Sequence, residues 1–345
     1  MKYHIITYGC QMNVSDSERI ASVLEKSGLK ASKTIDGADF IIVNMCSVRQ
    51  NAVNRVYGLF QKNLKSKCKI LTGCVLKKDE KKFLEFFDYI INIKDISKLP
   101  DILNLKNKLK TGNYLEILPN YGNKSSAWVP IMTGCNNFCS YCVVPYTRGR
   151  EISRPAKKII SEIKNLVKNG YKEIWLLGQN VNSYKSGKIN FPKLLKMVNN
   201  ISGDFKLNFL TSHPKDFSGE LIKTMKECKK LSKRLNLPIQ SGDDEILKKM
   251  NRPYTVKQYK NLVKKIRKTI PDISLSTDVI VGFPKETIKQ FKNTVKVFKE
   301  IGFDAAFINK YSPRHGTAAA KRKDNISWQE KKRREKILMN LIKNE

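Results

Sequence analysis

The chain has 345 residues, of which 41% are apolar and 28% charged, and this composition predicts a folded protein of about two domains and excludes wholesale disorder. It has no apolar run of about 18 residues, and its N-terminus, MKYHIITYGC, lacks the features of a signal peptide. The net charge of +35 indicates a polyanionic partner such as nucleic acid, although lysine drift in an AT-rich genome would give the same excess. We therefore expect a cytoplasmic protein with no membrane partner, whose eight cysteines are metal ligands or reactive thiols rather than disulfides.

Strand patterns alternate with helix patterns through the first hundred residues, which predicts a parallel sheet. Cys10, Cys46 and Cys74 each follow one of the first three predicted strands. Because ligands bind at the carboxyl ends of parallel strands, we expect these cysteines to lie at one edge of the sheet; three unrelated structural cysteines are the alternative. The predicted strands are 3–8, 39–44, 69–71 and 89–93, and the predicted helices are 16–27, 49–65 and 78–87.

A second alternation of strands and helices begins at residue 129 and predicts a partial (βα)6 barrel, short of the eight-stranded form. Residues 104–128 lack periodicity, so we expect a linker there between an N-terminal α/β domain, 1–103, and a barrel domain, 129–345. A capping-box pattern at Ser327 opens a basic last helix. The predicted strands are 129–133, 173–178, 206–211, 235–239, 273–281 and 304–311, and the helices are 156–168, 191–200, 216–228, 255–268 and 286–301.

Three cysteines lie within eight residues just after the first strand of the second domain: Cys135, Cys139 and Cys142. Thiolates favour iron–sulfur clusters and zinc. Structural zinc takes four ligands, and no His or fourth Cys is nearby. The motif therefore predicts an iron–sulfur cube with one iron open to another ligand, with three buried loop thiols as the alternative.

The CxxxCxxC spacing after the first strand of a partial barrel resembles the radical S-adenosylmethionine superfamily, and its longer context resembles the methylthiotransferase family. In that superfamily the open iron binds S-adenosylmethionine, and an electron from the cluster cleaves it to methionine and a 5′-deoxyadenosyl radical. The resemblance further implies a second [4Fe–4S] cluster on Cys10, Cys46 and Cys74, with an open iron for a sulfide that is methylated before delivery to carbon. The matching stretches are GCNNFCSYCVVPYTRGREISRP at 134–155, YGCQMN at 8–13, NMCSVR at 44–49 and GCV at 73–75.

Four further stretches resemble the branch of the family that adds a methylthio group to C2 of N6-isopentenyladenosine at position 37 of tRNA. The implied partners are the tRNA anticodon stem-loop and an electron donor of the flavodoxin or ferredoxin type. The alternatives are an enzyme acting on threonylcarbamoyl-adenosine of tRNA or on a ribosomal protein, and a non-catalytic iron–sulfur RNA-binding protein. Family members usually end in a small RNA-binding TRAM domain, which we expect to be naturally absent or truncated here. The stretches are LLGQNVNSY at 176–184, FLTSHP at 209–214, LPIQSGDD at 237–244 and TDVIVGFPKET at 277–287.

The ends of the predicted barrel strands carry the remaining site candidates. By the resemblance, Tyr141 and the segment 179–180 contact the adenine and methionine ends of S-adenosylmethionine, while Gln240 and 278–283 line its ribose and adenine. Backbone hydrogen bonding is the alternative for Ser212 and Asp278. The full cofactor set is Tyr141, Gln179, Asn180, Ser212, Gln240, Asp278 and Gly282.

Other residues are candidates for contact with the substrate or with phosphate. His213 and Arg148 are expected to face substrate, and Arg148 and Arg154 are candidates for phosphate or the methionine carboxylate, with structural or solvated roles as the alternative. Cys68 and Cys228 match no position of the family and are expected to be inert thiols. The lysine-rich stretches 62–69, 321–323 and 331–334 are candidate phosphate contacts or solvated helix faces.

Overall fold

The structure is a computed structural model that describes residues 1–48, 50–59, 67–107 and 114–343. In its N-terminal part a parallel sheet has the strand order β2-β1-β3-β4-β5. The central strand β3 is apolar on both faces, because helices and loops cover the sheet on either side. The strands are β1 (Lys2–Tyr8), β2 (Lys30–Ala31), β3 (Phe40–Cys46), β4 (Cys68–Cys74) and β5 (Tyr89–Ile90); the helices are α1 (Gln11–Lys26), α2 (Gln50–Leu59), α3 (Glu80–Phe83) and α4 (Leu99–Ile102).

The boundaries of these elements differ from the sequence prediction where polar residues are buried. Helix α1 begins at Gln11 rather than at residue 16, because Asn13, Ser15 and Asp16 are buried polar residues that hide its amphipathic pattern. Strand β4 runs through Cys74 rather than ending at 71, and β5 is shorter than predicted. The predicted helix 78–87 is only a short turn followed by α3. The end of the predicted helix 49–65 lies outside the described residues.

The rest of the chain contains two three-stranded parallel sheets, β12-β9-β6 and β13-β14-β15. A parallel bridge pairs Leu207 of β12 with Leu231, just before β13, so the two sheets follow each other as an open array of six strands. The predicted α/β class with parallel sheets is confirmed. The strands are β6 (Ser126–Pro130), β7 (Met132–Thr133), β8 (Ile152–Ser153), β9 (Glu173–Leu177), β10 (Lys185–Ser186), β11 (Ile189–Asn190), β12 (Lys206–Phe209), β13 (Arg234–Asn236), β14 (Ser274–Val281) and β15 (Ala305–Lys310).

Helices follow the strands of this array and cover its outer face. The apolar sides of these helices pack with the strands into one large buried cluster. Helix α12 packs on β15 and α11, so it covers one open edge of the array. The helices are α5 (Val144–Thr147), α6 (Ala156–Lys168), α7 (Phe191–Asn199), α8 (Gly219–Glu227), α9 (Asp244–Lys249), α10 (Val256–Thr269), α11 (Ile288–Ile301) and α12 (Trp328–Lys343).

Buried polar contacts join the two parts of the molecule. Ser15 on α1 donates a hydrogen bond to the carbonyl oxygen of Trp128 on β6, at 3.0 Å. Arg19 pairs at 3.8 Å with Glu162 on α6, which also accepts a hydrogen bond from Arg154 at 2.6 Å. These contacts hold α1, which follows Cys10 directly, against the first strand of the array. Arg154 therefore has a structural environment rather than the predicted phosphate contact.

The predicted linker, 104–128, is partly structured. Tyr114, Leu115 and Ile117 are buried in the core of the N-terminal sheet, and β6 begins at Ser126. Residues 108–113 lie outside the described part, and the domain boundaries at 103 and 129 stay a prediction. No helix in the described ranges has the length and hydrophobicity needed to cross a bilayer.

Candidate active site

Three cysteines of the N-terminal sheet meet at its carboxyl edge. The register of the parallel strands pairs Cys46 at the end of β3 directly with Cys74 at the end of β4. Cys10 follows β1 and precedes the first residue of α1. The Cys46 thiol hydrogen-bonds with both Cys10 and Cys74, and these bonds raise the pKa of Cys46 and lower the pKa of the other two. The structure thus brings together the three cysteines that the sequence placed at successive strand ends.

Two asparagines and a glycine fix the backbone around this triad. The Nδ2 atom of Asn13 donates to Oδ1 of Asn44 at 2.9 Å, and Asn44 donates back to the carbonyl oxygen of Asn13 at 2.8 Å. Gly73 has a φ of +101°, and a Cβ at this position would lie 2.3 Å from the carbonyl oxygen of Met45. Only glycine allows β4 to approach β3 this closely, next to Cys74.

Arg148, expected to face substrate, is instead buried against the N-terminal triad. Its Nε atom donates to the sulfur of Cys74 at 3.0 Å, and its Nη2 atom donates to Oδ2 of Asp16 at 2.6 Å. Both side chains of this ion pair are 2% exposed or less. Arg148 comes from the segment after Cys142, so a residue of the second domain completes the surroundings of the first triad.

The second triad lies on the loop between β7 and α5. The N–H of Cys135 donates to the carbonyl of Gly149 at 3.1 Å, and the N–H of Cys142 donates to the carbonyl of Cys139 at 2.9 Å, so the loop folds back on itself. Gly134 has a φ of +78°, and a Cβ there would lie 2.1 Å from the carbonyl oxygen of Arg150. Burial, followed by the charges of Cys139 and Cys135, raises the pKa of the Cys142 thiol to about 12.

The chemistry of the donor sets fits iron–sulfur clusters. Each triad offers three soft thiol ligands. In the described ranges no three His, Cys, Asp or Glu side chains are arranged around one point to hold a single metal ion. A cube differs from such a site, because each thiolate binds a separate iron atom.

Buried polar atoms without a hydrogen-bond partner in the described chain lie at or just beyond the carboxyl ends of neighbouring barrel strands. Leaving such an atom unpaired costs about 1–3 kcal/mol, so several of them together fit a polar ligand. Amides and an imidazole suit the ammonium, hydroxyl and purine groups of S-adenosylmethionine. The atoms are Oε1 of Gln179, Oδ1 of Asn180, Nε2 of His213, Oδ1 of Asn236 and Oε1 of Gln240.

His213 is held as a neutral imidazole. Burial, followed by the charges of Arg252 and Lys215, lowers the pKa of His213 to about 2. Its Nδ1 atom accepts the N–H of Lys215 at 3.2 Å, so the ring proton lies on Nε2. That Nε2–H is among the buried atoms without a partner, which makes it a hydrogen-bond donor available to a ligand.

The other predicted cofactor residues are divided between the barrel mouth and the framework behind it. Tyr141, Gln240 and Asp278 line a cleft beside Cys142. Ser212 donates to the carbonyl of Asn236, which is the backbone role considered for it. Gly282 donates to Glu286 at 2.8 Å and lies against the Lys331 side chain, so the structure does not bring it to the unpaired polar atoms.

The cleft has a volume of about 750 Å³ and lies between the two parts of the molecule. Its lining includes Val48, Gln50 and Asn51, which follow Cys46 closely, and Cys142 of the second triad. Arg314 also lines the cleft and donates to Oε1 of Gln50 at 2.5 Å, which joins the two parts of the chain there. The cleft also has an apolar and aromatic side, formed by Ile280, Ile308, Tyr311 and Trp328.

Sequence analysis missed two residues of this region. Asn236 donates to Oδ2 of Asp278 at 2.9 Å, and in the sequence it is the polar residue of the otherwise apolar predicted strand 235–239. Arg252 is buried, and its Nη1 lies 3.5 Å from the sulfur of Cys139. No spacing or periodicity marks Arg252, since its partner is more than a hundred residues away in the chain.

The basic stretch 331–334 is not the free phosphate-binding face that was considered. Lys331 is buried and donates to the carbonyl of Tyr311 at 3.1 Å and to Asp324 at 2.6 Å. Arg334 is buried and donates to Glu286 at 2.7 Å. Lys332 and the stretch 321–323 are exposed.

The remaining residues considered for phosphate or thiol chemistry are placed as follows. Lys67 donates to the carbonyl oxygens of Ile35, Asp36 and Ala38, and residues 60–66 lie outside the described part. Cys68 begins β4, at the sheet edge opposite Cys74. Cys228 is buried at the end of α8. Neither thiol belongs to a triad.

Family models match both parts of the chain. The model of the Radical SAM superfamily matches residues 129–298. The model described as "Uncharacterized protein family UPF0004" matches residues 2–93. The two matched regions contain the second and the first cysteine triad, respectively.

Several curated proteins are similar to this chain over most of its length. It is 44% identical to the tRNA-2-methylthio-N(6)-dimethylallyladenosine synthase of Clostridium botulinum (strain Hall), over 99% of this chain and 81% of that protein. Identity to the protein of the same name from Clostridium novyi (strain NT) is 47%, over 94% and 77%. The chain is 45% identical to the protein of the same name from Thermoanaerobacter sp. (strain X514), over 94% of this chain and 74% of that protein.

Solved structures share the fold at low sequence identity. The cobalamin-dependent S-adenosylmethionine radical enzyme OxsB superposes with a TM-score of 0.63 and 12% identity, over 99% of this chain and 56% of that chain. The radical S-adenosylmethionine methyltransferase TsrM from Kitasatospora setae superposes with a TM-score of 0.63 and 13% identity, over 92% of this chain and 77% of that chain. These similarities concern the fold.

Proposed function

Because the chain belongs to the radical S-adenosylmethionine family of tRNA-2-methylthio-N6-dimethylallyladenosine synthases, we propose that it adds a methylthio group to C2 of N6-isopentenyladenosine at position 37 of tRNA. The observation that carries this proposal is the presence of two separate cysteine triads, together with a cleft that is lined by Cys142 of the second triad and by residues that follow Cys46 of the first. One triad alone would suffice for generating a radical. Sulfur insertion needs a second site that holds the sulfur.

The two triads have different roles in this proposal. Cys135, Cys139 and Cys142 hold the cluster that binds S-adenosylmethionine, and Cys10, Cys46 and Cys74 hold the second cluster. When bound, the first cluster supplies the electron that splits S-adenosylmethionine and the second carries the sulfur that is transferred to C2. Radical chemistry is required because no side-chain base removes the proton of this aromatic C–H at a useful rate.

The polar atoms of the barrel mouth hold S-adenosylmethionine in this proposal. Gln179, Asn180 and Gln240 offer unpaired amide oxygens to its ammonium and hydroxyl groups, and His213 offers its Nε2–H to an acceptor. Tyr141 lies beside Cys142 on the wall of the cleft and contacts the same ligand. The strand ends and the adjoining loops position these groups around one region of the barrel mouth.

The cleft next to these groups receives the modified base. Its wall of Ile280, Ile308 and Tyr311 gives the isopentenyl group an apolar surface. Burying five carbons at about 0.8 kcal/mol per methylene supplies a few kcal/mol of preference for prenylated tRNA. An electron donor of the flavodoxin or ferredoxin type completes the proposal, because the electron that splits S-adenosylmethionine has to be replaced before the next turnover.

Iron content and S-adenosylmethionine cleavage test the assignment of the two triads. Anaerobic reconstitution is expected to give about eight irons per chain, and replacing either triad by Ala is expected to leave about half. The variant lacking Cys135, Cys139 and Cys142 loses cleavage. The variant lacking Cys10, Cys46 and Cys74 keeps cleavage and loses methylthio transfer. Full iron and full product in that second variant would exclude the second cluster.

The choice of tRNA substrate tests the branch of the family. Isopentenyladenosine-containing tRNA is expected to be converted, and the same tRNA without the isopentenyl group is expected to react poorly. Mass spectrometry of the digested nucleosides reports both products. Equal turnover of the two tRNAs, or reaction with threonylcarbamoyl-adenosine alone, would assign the chain to another branch.

A further inference from the structure

Arg148 links the two cysteine triads, because its backbone lies close to the second triad in the chain and its side chain contacts the first. It follows α5, in the segment that begins at Cys142, yet its Nε atom donates to the sulfur of Cys74, in the other domain, at 3.0 Å. The contact is fully internal, because Arg148 is 2% and Cys74 3% exposed. An N–H···S hydrogen bond to a cluster ligand therefore comes from the domain that binds S-adenosylmethionine.

Asp16 fixes the orientation of this guanidinium group. Its Oδ2 atom accepts from Nη2 of Arg148 at 2.6 Å, while Nε remains directed at Cys74. The planar fork of arginine lets one side chain serve both partners at once, which a single ammonium group does less well. The Asp16 carboxylate also offsets much of the charge of Arg148, so the effect of Arg148 is concentrated at the hydrogen-bonded sulfur.

We infer that Arg148 is a positioning residue that raises the reduction potential of the N-terminal cluster by donating a hydrogen bond to Cys74. This inference rests on the second cluster of the proposed function. A hydrogen bond to a ligand sulfur withdraws electron density and stabilises the more negative, reduced form, which is one of the recognised determinants of cluster potential. In this way the segment next to the first cluster sets how readily the second one accepts an electron.

The other triad has a comparable contact that serves as an internal control. Arg252 is also buried, and its Nη1 atom lies 3.5 Å from the sulfur of Cys139. Each triad thus has a buried arginine next to one of its sulfurs. Replacing Arg252 should leave the N-terminal cluster unchanged, whereas replacing Arg148 should change it.

The test uses the full chain with Cys135, Cys139 and Cys142 replaced by Ala, so that the N-terminal cluster alone is observed. An EPR-monitored redox titration then compares this parent with Arg148→Gln, Arg148→Lys and Arg252→Gln. At the parent midpoint we expect Arg148→Gln to have about a tenfold lower ratio of reduced to oxidised cluster, equivalent to about 59 mV for a one-electron couple. Arg148→Lys should shift the midpoint by less, and Arg252→Gln should leave it at the parent value.

Several results would overturn the inference. One is an unchanged midpoint in both Arg148 variants that retain the parent's iron content. Another is an equal shift in Arg252→Gln. If both Arg148 variants fold, as judged by circular dichroism, but lose the iron, Arg148 has a structural role and no tuning role. A parent without any iron would instead refute the second cluster of the proposed function, and this outcome is read before any Arg148 variant is made.

Discussion

The buried environment of His213 determines the protonation state of its imidazole. A histidine at a barrel mouth is commonly considered as an acid or base, but this one has a pKa of about 2, because burial and two nearby cations oppose its protonation. It therefore acts as a neutral hydrogen-bond donor through Nε2 across the physiological range. The expectation that His213 faces substrate stays a prediction, and a neutral imidazole suits it to hydrogen bonding with a bound ligand rather than to proton transfer.

The acid stability of the fold is expected to depend on His213. In the unfolded chain its pKa is about 6.5, so between about pH 2 and 6.5 the unfolded state binds a proton that the folded state does not, and the free energy of unfolding falls as the pH is lowered. From pH 7 to pH 5 the loss is about 2 kcal/mol, at about 1.36 kcal/mol per pKa unit. Denaturant unfolding of wild type and His213→Gln at both pH values measures it. The difference in the free energy of unfolding between wild type and His213→Gln should change by about 2 kcal/mol between pH 7 and pH 5. The same difference at both pH values would refute the prediction.

Strand ends could be predicted from the sequence, whereas the partners of buried charged residues could not. Cys10, Cys46 and Cys74 are brought together by a general property of parallel sheets, so recognising three strands was sufficient. Arg148 is different, since its contacts with Asp16 and Cys74 join residues that are far apart in the chain. Nothing local distinguishes an arginine that will be buried against a thiol from one that will face substrate.

At the level of a whole element, the burial of basic residues on helix α12 also could not be predicted from the sequence. Its basic residues have the spacing of a solvated surface, and the sequence gives no sign that two of them are buried. Lys331 and Arg334 instead reach Asp324 and Glu286, and Leu338 is completely buried in the barrel core. The helix therefore closes one open edge of the strand array, and its buried cations are part of that closure.

Replacing Arg334 should destabilise the protein far more than replacing its exposed neighbour. Arg334→Met keeps most of the volume but leaves Glu286 buried without its cation, which costs about 3 kcal/mol, the lower end of the range for a broken buried pair, because the N–H of Gly282 still donates to it. Lys332→Met, on the exposed face, should change stability by no more than about 0.5 kcal/mol. Urea denaturation of the two variants makes the comparison. Equal urea midpoints for the two variants would mean that the ion pair between Arg334 and Glu286 does not stabilise the folded protein.

At the scale of the whole molecule, the basic residues behind the net charge of +35 fall into two groups, those paired inside the protein and those exposed for binding. Some basic residues, such as Arg19, Arg154 and Arg334, are used inside the protein as partners of buried carboxylates. Exposed lysines of the stretch 321–323 and of α12 remain available for phosphate groups of tRNA. Such contacts position the tRNA without reading its sequence.

The affinity for tRNA should therefore depend on salt, and three lysines should account for part of that dependence. Replacing Lys321, Lys323 and Lys332 by Gln is expected to reduce the log–log salt slope by about 2–3, at about 0.7–0.9 per phosphate contact. The matched control replaces Lys157, Lys164 and Lys168 on α6, a helix that packs on β6 at the other end of the strand array. Filter binding at several salt concentrations measures both variants. A salt-independent affinity, or an equal reduction in the control, would indicate that the charge reflects composition.

The direct pairing of Cys46 with Cys74 across β3 and β4 has a consequence for how such a site tolerates insertions and deletions. Their sulfurs are placed by strand register, so the connection between the two strands can gain or lose residues without moving either one. An extra residue inside β4 would instead shift the register and turn Cys74 to the other face of the sheet. The CxxxCxxC loop cannot gain or lose residues in this way, because the number of residues between its cysteines determines where their sulfurs lie. We expect related chains to differ in the distance between their first three cysteines and to keep the spacing of the last three.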